Sequence, residues 1–361
     1  SKVYFTNLRT NSNMTLLQKL DRLVKKAGIE NIDFNEKFVA IKIHFGEPGN
    51  LAYLRPNYSK VIVDLIKSKN GKPFLTDCNT LYVGRRKNAI EHMDAAYENG
   101  YNPFATGCHV IIADGLKGTD EAIIPVEGGE YVKEAKIGQS IADADIFISM
   151  NHFKGHESTG FGGALKNIGM GCGSRAGKKE QHNDGTPTIS ESKCRGCKKC
   201  QKVVNQDKCV SCGACRKMCA HGAISFNENK KANINHDKCV GCGRCIGTCN
   251  FDAIENLEYS ANDILNKKIA EYSKAVLSGK EHFHISFVVN VSPNCDCHAE
   301  NDAAIIPDVG MFASFDPVAL DMACVDAANK QVVIRDSYLG EKEQHTSDHF
   351  INNHPETNWE V

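Results

Sequence analysis

The strongest constraint in this sequence is a cysteine spacing that occurs twice in its second half. KCVSCGACRKMCAHGAI at Lys208 to Ile224 and KCVGCGRCIGTCNFDAI at Lys238 to Ile254 match at all four cysteines, in the Lys-Cys-Val start and in the Ala-Ile end. Each copy reads Cys-x2-Cys-x2-Cys-x3-Cys, and 11 of the 17 cysteines fall between Cys194 and Cys249. The first thirty residues lack a basic start followed by an apolar stretch and a small-residue cleavage site. The thiols therefore read as metal ligands in a reducing cytoplasm, not as disulfides.

Two successive x2 steps let one tight loop set three thiolates on one cubane, while the fourth cysteine reaches the neighbouring cubane. Cys209, Cys212 and Cys215 are expected to share one [4Fe-4S] cluster with Cys249. Cys239, Cys242 and Cys245 are expected to share a second with Cys219. Gly213, Gly241 and Gly243 allow backbone N–H groups close to the sulfides. Zinc is the alternative, although four-cysteine zinc sites usually pair two separated Cys-x2-Cys knuckles. The segment resembles bacterial two-cluster ferredoxins, with Ala220 and Asn250 where a proline usually follows the fourth cysteine. It has little apolar surface of its own, so metal ligation should supply much of its folding free energy.

Cys194-x2-Cys197-x2-Cys200 repeats the three-thiolate spacing, with Val204 in the fourth position. A third cluster would need a distant ligand, and Cys172, Cys295 or Cys297 could supply it; free thiols are the other reading. Cys78, Cys108 and Cys324 are isolated, as small core residues are.

Outside this segment, apolar runs alternate with stretches of helical period. Phe38 to Phe45, Pro73 to Thr76, Val110 to Ala113, Ile146 to Met150 and His284 to Val291 read as buried strands. Met14 to Ala27, Asn57 to Lys69, Arg86 to Asn99, Ala261 to Ser278 and Asp316 to Ala328 read as helices. The expected fold is α/β: a largely parallel sheet domain interrupted by a small ferredoxin-like (α+β) iron-sulfur module. Residues 1–186 and 261–335 form the two parts of the α/β domain, 187–260 the insert, and 336–361 a polar C-terminal tail.

The net charge is -1, which argues against a general polyanion binder, so no nucleic acid is expected. No run reaches the roughly 18 apolar residues of a membrane helix. Between Glu191 and Asn250, however, 12 Lys or Arg oppose four Asp or Glu. Such a face can steer an acidic electron donor such as a ferredoxin or flavodoxin, or can simply be solvated.

The segment Asn151 to His182 starts at the end of a strand, where open α/β sheets bind ligands. His152, Lys154 and His156 alternate and would face one way on an extended chain. Imidazole moves protons near neutral pH, and lysine holds an anion or a carbonyl. Gly160, Gly162 and Gly163 permit a turn with exposed N–H groups, a nest for phosphate or carboxylate. They spell neither a dinucleotide fingerprint nor a P-loop. His44, Glu47 and Arg55 follow another strand, as do Asp77 and Asn79, and Arg55 suits an anionic substrate. Solvated loop groups and structural histidines are the plainer alternatives.

HFGEPGN, TDCNTLY, HFKGHESTGFGGALKNIGMGCGSR, NVSPNCDCHAEND and IPDVGMFASFDPVALD, with the paired cluster motifs, resemble the uncharacterised iron-sulfur-centre proteins of domain-of-unknown-function family 362. The resemblance implies an α/β domain with a ferredoxin insert and leaves the reaction open. A fainter similarity links His156, the GFGGA turn and Lys166 to the nickel-pincer lactate racemases. It implies an acid/base role for His156 and an anchoring role for Lys166; no nickel is expected, since the racemases lack a ferredoxin insert. The leading reading is an oxidoreductase that relays single electrons to a small anion held by His152, Lys154, His156 and Lys166. A non-enzymatic electron carrier or cluster-delivery protein, and a redox sensor, are the alternatives.

Overall fold

Short apolar runs in this chain become strands because they can be buried on both faces. The computed structural model describes residues 1–82, 84–182, 208–219, 222–235, 245, 253, 262–357 and 359–360. Its strands are β1 (Tyr4–Asn7), β2 (Phe38–Lys42), β3 (Lys72–Asp77), β4 (Val110–Ile112), β5 (Glu121–Pro125), β6 (Glu134–Gly138), β7 (Ile146–His152), β8 (Lys154–His156), β9 (Gly160–Gly162), β10 (Ile224–Phe226), β11 (Ala232–Ile234), β12 (Glu281–Val288) and β13 (Gly310–Ser314). Seven of them form one sheet in the order β1-β13-β12-β7-β2-β3-β4. From β12 to β4 all neighbours are parallel, while β13 runs antiparallel to β12 and β1. The α/β class with a largely parallel sheet is therefore observed, and strands from both sides of the cysteine-rich segment share that sheet.

Side chains alternate across each strand, and this splits the interior into two cores. Val39 and Ile41, Ile146, Ile148 and Met150, and Phe283, Ile285 and Phe287 face one core, with the helices Leu16–Ala27 and Pro56–Ser68. Ala40 and Phe147 face the other, with the helices Ala164–Cys172, Asn262–Leu277 and Pro317–Asn329. The Ala164–Cys172 helix follows directly on Gly160, Gly162 and Gly163, where the sequence suggests a turn and where the chain instead forms β9 and the helix start. Its glycines are poor helix formers, and tertiary packing overrides them. A Cβ on Gly169 would lie 2.1 Å from the Ile269 carbonyl oxygen, so glycine lets the Asn262–Leu277 helix close against it.

The strand expected over Phe38 to Phe45 leaves the ladder after Lys42 and turns at Gly46, whose φ is 80°. Several of the described residues among 336–361, expected as a polar surface tail, are packed down instead. Leu339, Phe350 and Asn353 are fully buried. The Phe350 ring meets Phe153 edge-on at 5.3 Å, and Trp359 meets Phe161 at 5.1 Å. No helix of the described residues is long and apolar enough to cross a membrane.

Candidate functional site

Parallel strands end on one rim, and the loops that leave them there converge. His44 follows β2, Asp77 closes β3, His152 closes β7, and Cys295, Asp296 and Cys297 lie on the loop after β12. One ligand atom each from His44, Cys295 and Cys297 falls within 4.8 Å of the others, although some 250 residues separate the histidine from the cysteines. The Lys166 Nζ, from the helix behind β7, donates to the Cys295 sulfur at 3.4 Å.

The rim is held by buried polar bonds. His152 Nδ1 faces Asp296 Oδ2 at 2.8 Å and its Nε2 faces the Val289 carbonyl at 2.8 Å, so both ring nitrogens are committed to the loop. Lys154 Nζ lies 3.5 Å from the same carboxylate. The two residues thus brace Asp296, and with it the cysteines on either side. His156 accepts the Ser158 and Thr159 amides on Nδ1, at 3.1 and 3.3 Å. Its ring proton is then on Nε2, the atom left to face Cys295.

Electrostatics separates the two sulfurs. A hydrogen bond from Cys297, with Lys166 and His156 nearby, holds the Cys295 thiol well below its ordinary value despite burial. Cys297, which donates that bond and is half-buried, is pushed well above it. Burial opposes the Lys166 charge, but Cys295 and Cys297 outweigh it and keep the ammonium protonated. Burial, then Arg86, pushes His44 well down, so its imidazole is neutral. Two sulfurs, of which Cys295 is the more readily ionised, and an imidazole form a donor set suited to soft and borderline metals.

The Ala164–Cys172 helix is fixed to the sheet through Asn167, which accepts from Lys42 Nζ at 2.7 Å and donates to Asn151 Oδ1 at 2.8 Å. Asp321 accepts the Ala164 amide at 2.6 Å and the Leu165 amide at 2.9 Å. These helix-start amides are therefore met by the chain's own carboxylate. Gly160 and Gly162 pair with His156 and Lys154 in the β8–β9 ribbon, and Gly163 packs against Asp321. Arg55 is exposed at the start of the Pro56–Ser68 helix. Glu47 binds Arg86 Nε at 2.8 Å, and Lys42 Nζ lies 3.0 Å from Asp77 Oδ1.

Several of these residues carried no signal in the sequence. Asp296 sits between two cysteines that drew attention only as thiols. His298 pairs with Glu157 at 3.1 Å, which raises the imidazole to about 9. His182 lies near Lys166 and His156, and burial followed by those neighbours pushes it to about 3. Cys172 stays in the core, where the Cys78 thiol donates to its carbonyl oxygen and burial pushes its own thiol up to about 12.

Of the expected cluster ligands, Cys209, Cys212, Cys215, Cys219 and Cys245 are described. Cys194, Cys197, Cys200, Cys239, Cys242 and Cys249 lie outside the described residues, as do Gly241 and Gly243. The Ala223 amide donates to Cys219 Sγ at 3.3 Å and the Ala232 amide to Cys209 Sγ at 3.5 Å.

Fold and rim define an α/β protein with a cysteine and histidine site that can hold a metal ion. The family model described as domain of unknown function (DUF362) matches residues 39–326, and the chain belongs to that family. Among curated proteins nothing matches. Among solved structures, the lactate racemase apoprotein from Thermoanaerobacterium thermosaccharolyticum is 11% identical with a TM-score of 0.42, covering 86% of this chain and 56% of that one. A structural-genomics protein from Thermotoga maritima is 12% identical with a TM-score of 0.40, covering 89% of this chain and 59% of that one. The chain thus spans less than two thirds of either.

Proposed function

We propose that this chain is an iron-sulfur oxidoreductase in which two ferredoxin-type [4Fe-4S] clusters pass single electrons to a small anionic substrate at the strand-end rim. The observation that carries this reading is the Cys295 sulfur, met by Lys166 Nζ at 3.4 Å and gathered with Cys297 and His44 within 4.8 Å. A plain carrier needs no such buried, polarised site. The clusters, when bound, supply one-electron steps at low potential. Lys166 holds negative charge, on Cys295 or on an anion above it. His156 presents Nε2–H to the same place and can give or take a proton there. Asp296, fixed by His152 and Lys154, orients the two sulfurs. Amides directed at the Cys209 and Cys219 sulfurs suit a cluster-binding loop, and the module's basic surplus suits an acidic donor protein.

The test uses anaerobically purified, reconstituted full-length chain. The clusters are reduced and then mixed with a panel of small carboxylates and phosphates while their absorbance is followed. Reoxidation by one anion, lost in Cys295→Ser and slowed in His156→Gln, supports the reading. Reoxidation only by oxidised ferredoxin or flavodoxin, unchanged by either substitution, makes the chain a carrier.

A further inference from the structure

Beyond the ends of β3 and β4 a group of buried polar atoms has unmet hydrogen bonds. Arg175 is 5% exposed, Thr80 2%, and Asn79 and Asp114 are fully buried. Among the described residues, Nε and Nη2 of Arg175, Oγ1 of Thr80, Oδ1 of Asn79 and Oδ2 of Asp114 have no hydrogen-bond partner. Short contacts place them in one locale. Asp114 Oδ1 accepts from the Asn79 backbone at 2.9 Å and from its side chain at 2.8 Å. The Thr80 amide donates to the Arg86 carbonyl at 2.8 Å, and Arg175 Nη1 donates to the next carbonyl, that of Lys87, at 3.1 Å. Gly118, at φ +71°, lies between the two charged side chains. A Cβ there would be 2.3 Å from Arg175 Cδ and 3.0 Å from Asp114 Oδ2.

The pattern of use on the guanidinium is informative. Nη1 is taken, and the free Nε–H and Nη2–H run parallel as the fork that grips both oxygens of a carboxylate or phosphate. A desolvated fork with no acceptor is costly, and such groups in a native protein need a partner. Asp114 is an incomplete counter-ion, because Asn79 holds its Oδ1 and burial pushes its carboxyl up to about 6. The strand ends here are also where α/β sheets take ligands.

We propose that the Nε–Nη2 edge of Arg175, with the Thr80 hydroxyl, seats the carboxylate or phosphoryl group of a small anion beyond β3 and β4. Asn79 Oδ1 and Asp114 Oδ2 then accept hydrogen bonds from a hydroxyl or amino group on the same molecule. The seat adjoins the thiol site through Arg86, whose backbone holds Thr80 and whose side chain reaches Tyr82 Oη at 3.3 Å. It rests on the proposed function only for the class of substrate, and requires neither cluster nor metal.

Calorimetric titration of the oxidised, anaerobically purified full chain with inorganic phosphate and, separately, malonate tests it. One of the two should bind saturably at one site, and which one does separates a phosphoryl ligand from a carboxylate. R175K keeps the charge but loses the fork, and should weaken binding at least about tenfold. For malonate, which has no hydroxyl or amino group for Asp114 Oδ2, D114N removes a like charge and should tighten binding severalfold, a change of opposite sign that misfolding cannot mimic. Thr80→Val should weaken binding if R175K fails to fold. No saturable binding of either anion, or equal binding by wild type, R175K and D114N, overturns the proposal and leaves the fork to buried water. Electron transfer is not read in this titration, so a failed relay and a failed seat give different results.

Discussion

The Lys166 ammonium stands 3.4 Å from the Cys295 sulfur, although the two are 129 positions apart in sequence, with the whole cysteine-rich segment between them. If that cation stabilises the thiolate, Lys166→Met should raise the pH at which Cys295 ionises by about 1 or more. The rate of alkylation by iodoacetamide, mapped to Cys295 by mass spectrometry across pH, reads the change. An unaltered profile would leave the lowering of the Cys295 thiol to the Cys297 hydrogen bond.

A buried ion pair should matter far more than an exposed one. Lys42 and Asp77 meet at 3.0 Å with almost no exposure, and Arg86 Nη1 lies 3.7 Å from the same carboxylate. Burial opposes the Asp77 charge, but Lys42 and its neighbours hold the carboxyl below its ordinary value. Asp77→Asn leaves the buried Lys42 ammonium without its counter-ion, while Arg86 keeps Glu47, and should cost about 3–5 kcal/mol in urea unfolding. Lys72→Ala, at the exposed pair with Glu36, should change the midpoint little.

Asp321 gives a pH signature of its own. Burial outweighs the two amides it accepts and pushes its carboxyl up to about 7 from an ordinary 3.8. Between those values the folded chain holds more protons than the unfolded one, so stability falls as pH rises from about 4 to about 7. D321N should lack this component, and the wild type should lose ground to it across that range. A constant difference between the two urea midpoints would contradict the assignment.

The C-terminal segment braces the cysteine loop. Asn353 Nδ2 donates to the Pro293 carbonyl at 2.8 Å, and His354 Nε2 faces the same oxygen at 3.0 Å. Asn353→Ala should cost about 1 kcal/mol and speed alkylation of Cys295, two residues along. Unchanged alkylation would show that the loop is held by Asp296 alone.

How much of this could be read in the residues depends on the range of the interactions. Ile146 to Met150 is apolar at nearly every position because β7 is buried on both faces, and such a run is visible locally. His44 and His156 stood out because polar groups follow strand ends, and Lys166 because its place after the GFGGA turn resembles that of the racemases. The meeting of His44 with Cys295 and Cys297 was not legible, since it requires β12 to lie beside β7 and β7 beside β2. Nor was the Ala164–Cys172 helix, whose glycines are chosen for close approach by a neighbour. Residues 336–361 read as a tail because their anchors, Leu339 and Phe350, are few and widely spaced.

Iron and acid-labile sulfide, counted per chain on anoxically purified protein alongside zinc, bear most directly on the redox reading. Two cubanes on the repeated cysteine motifs require about eight of each, with a brown sample that bleaches on reduction. A colourless protein, or one whose cysteines carry only zinc, would contradict it.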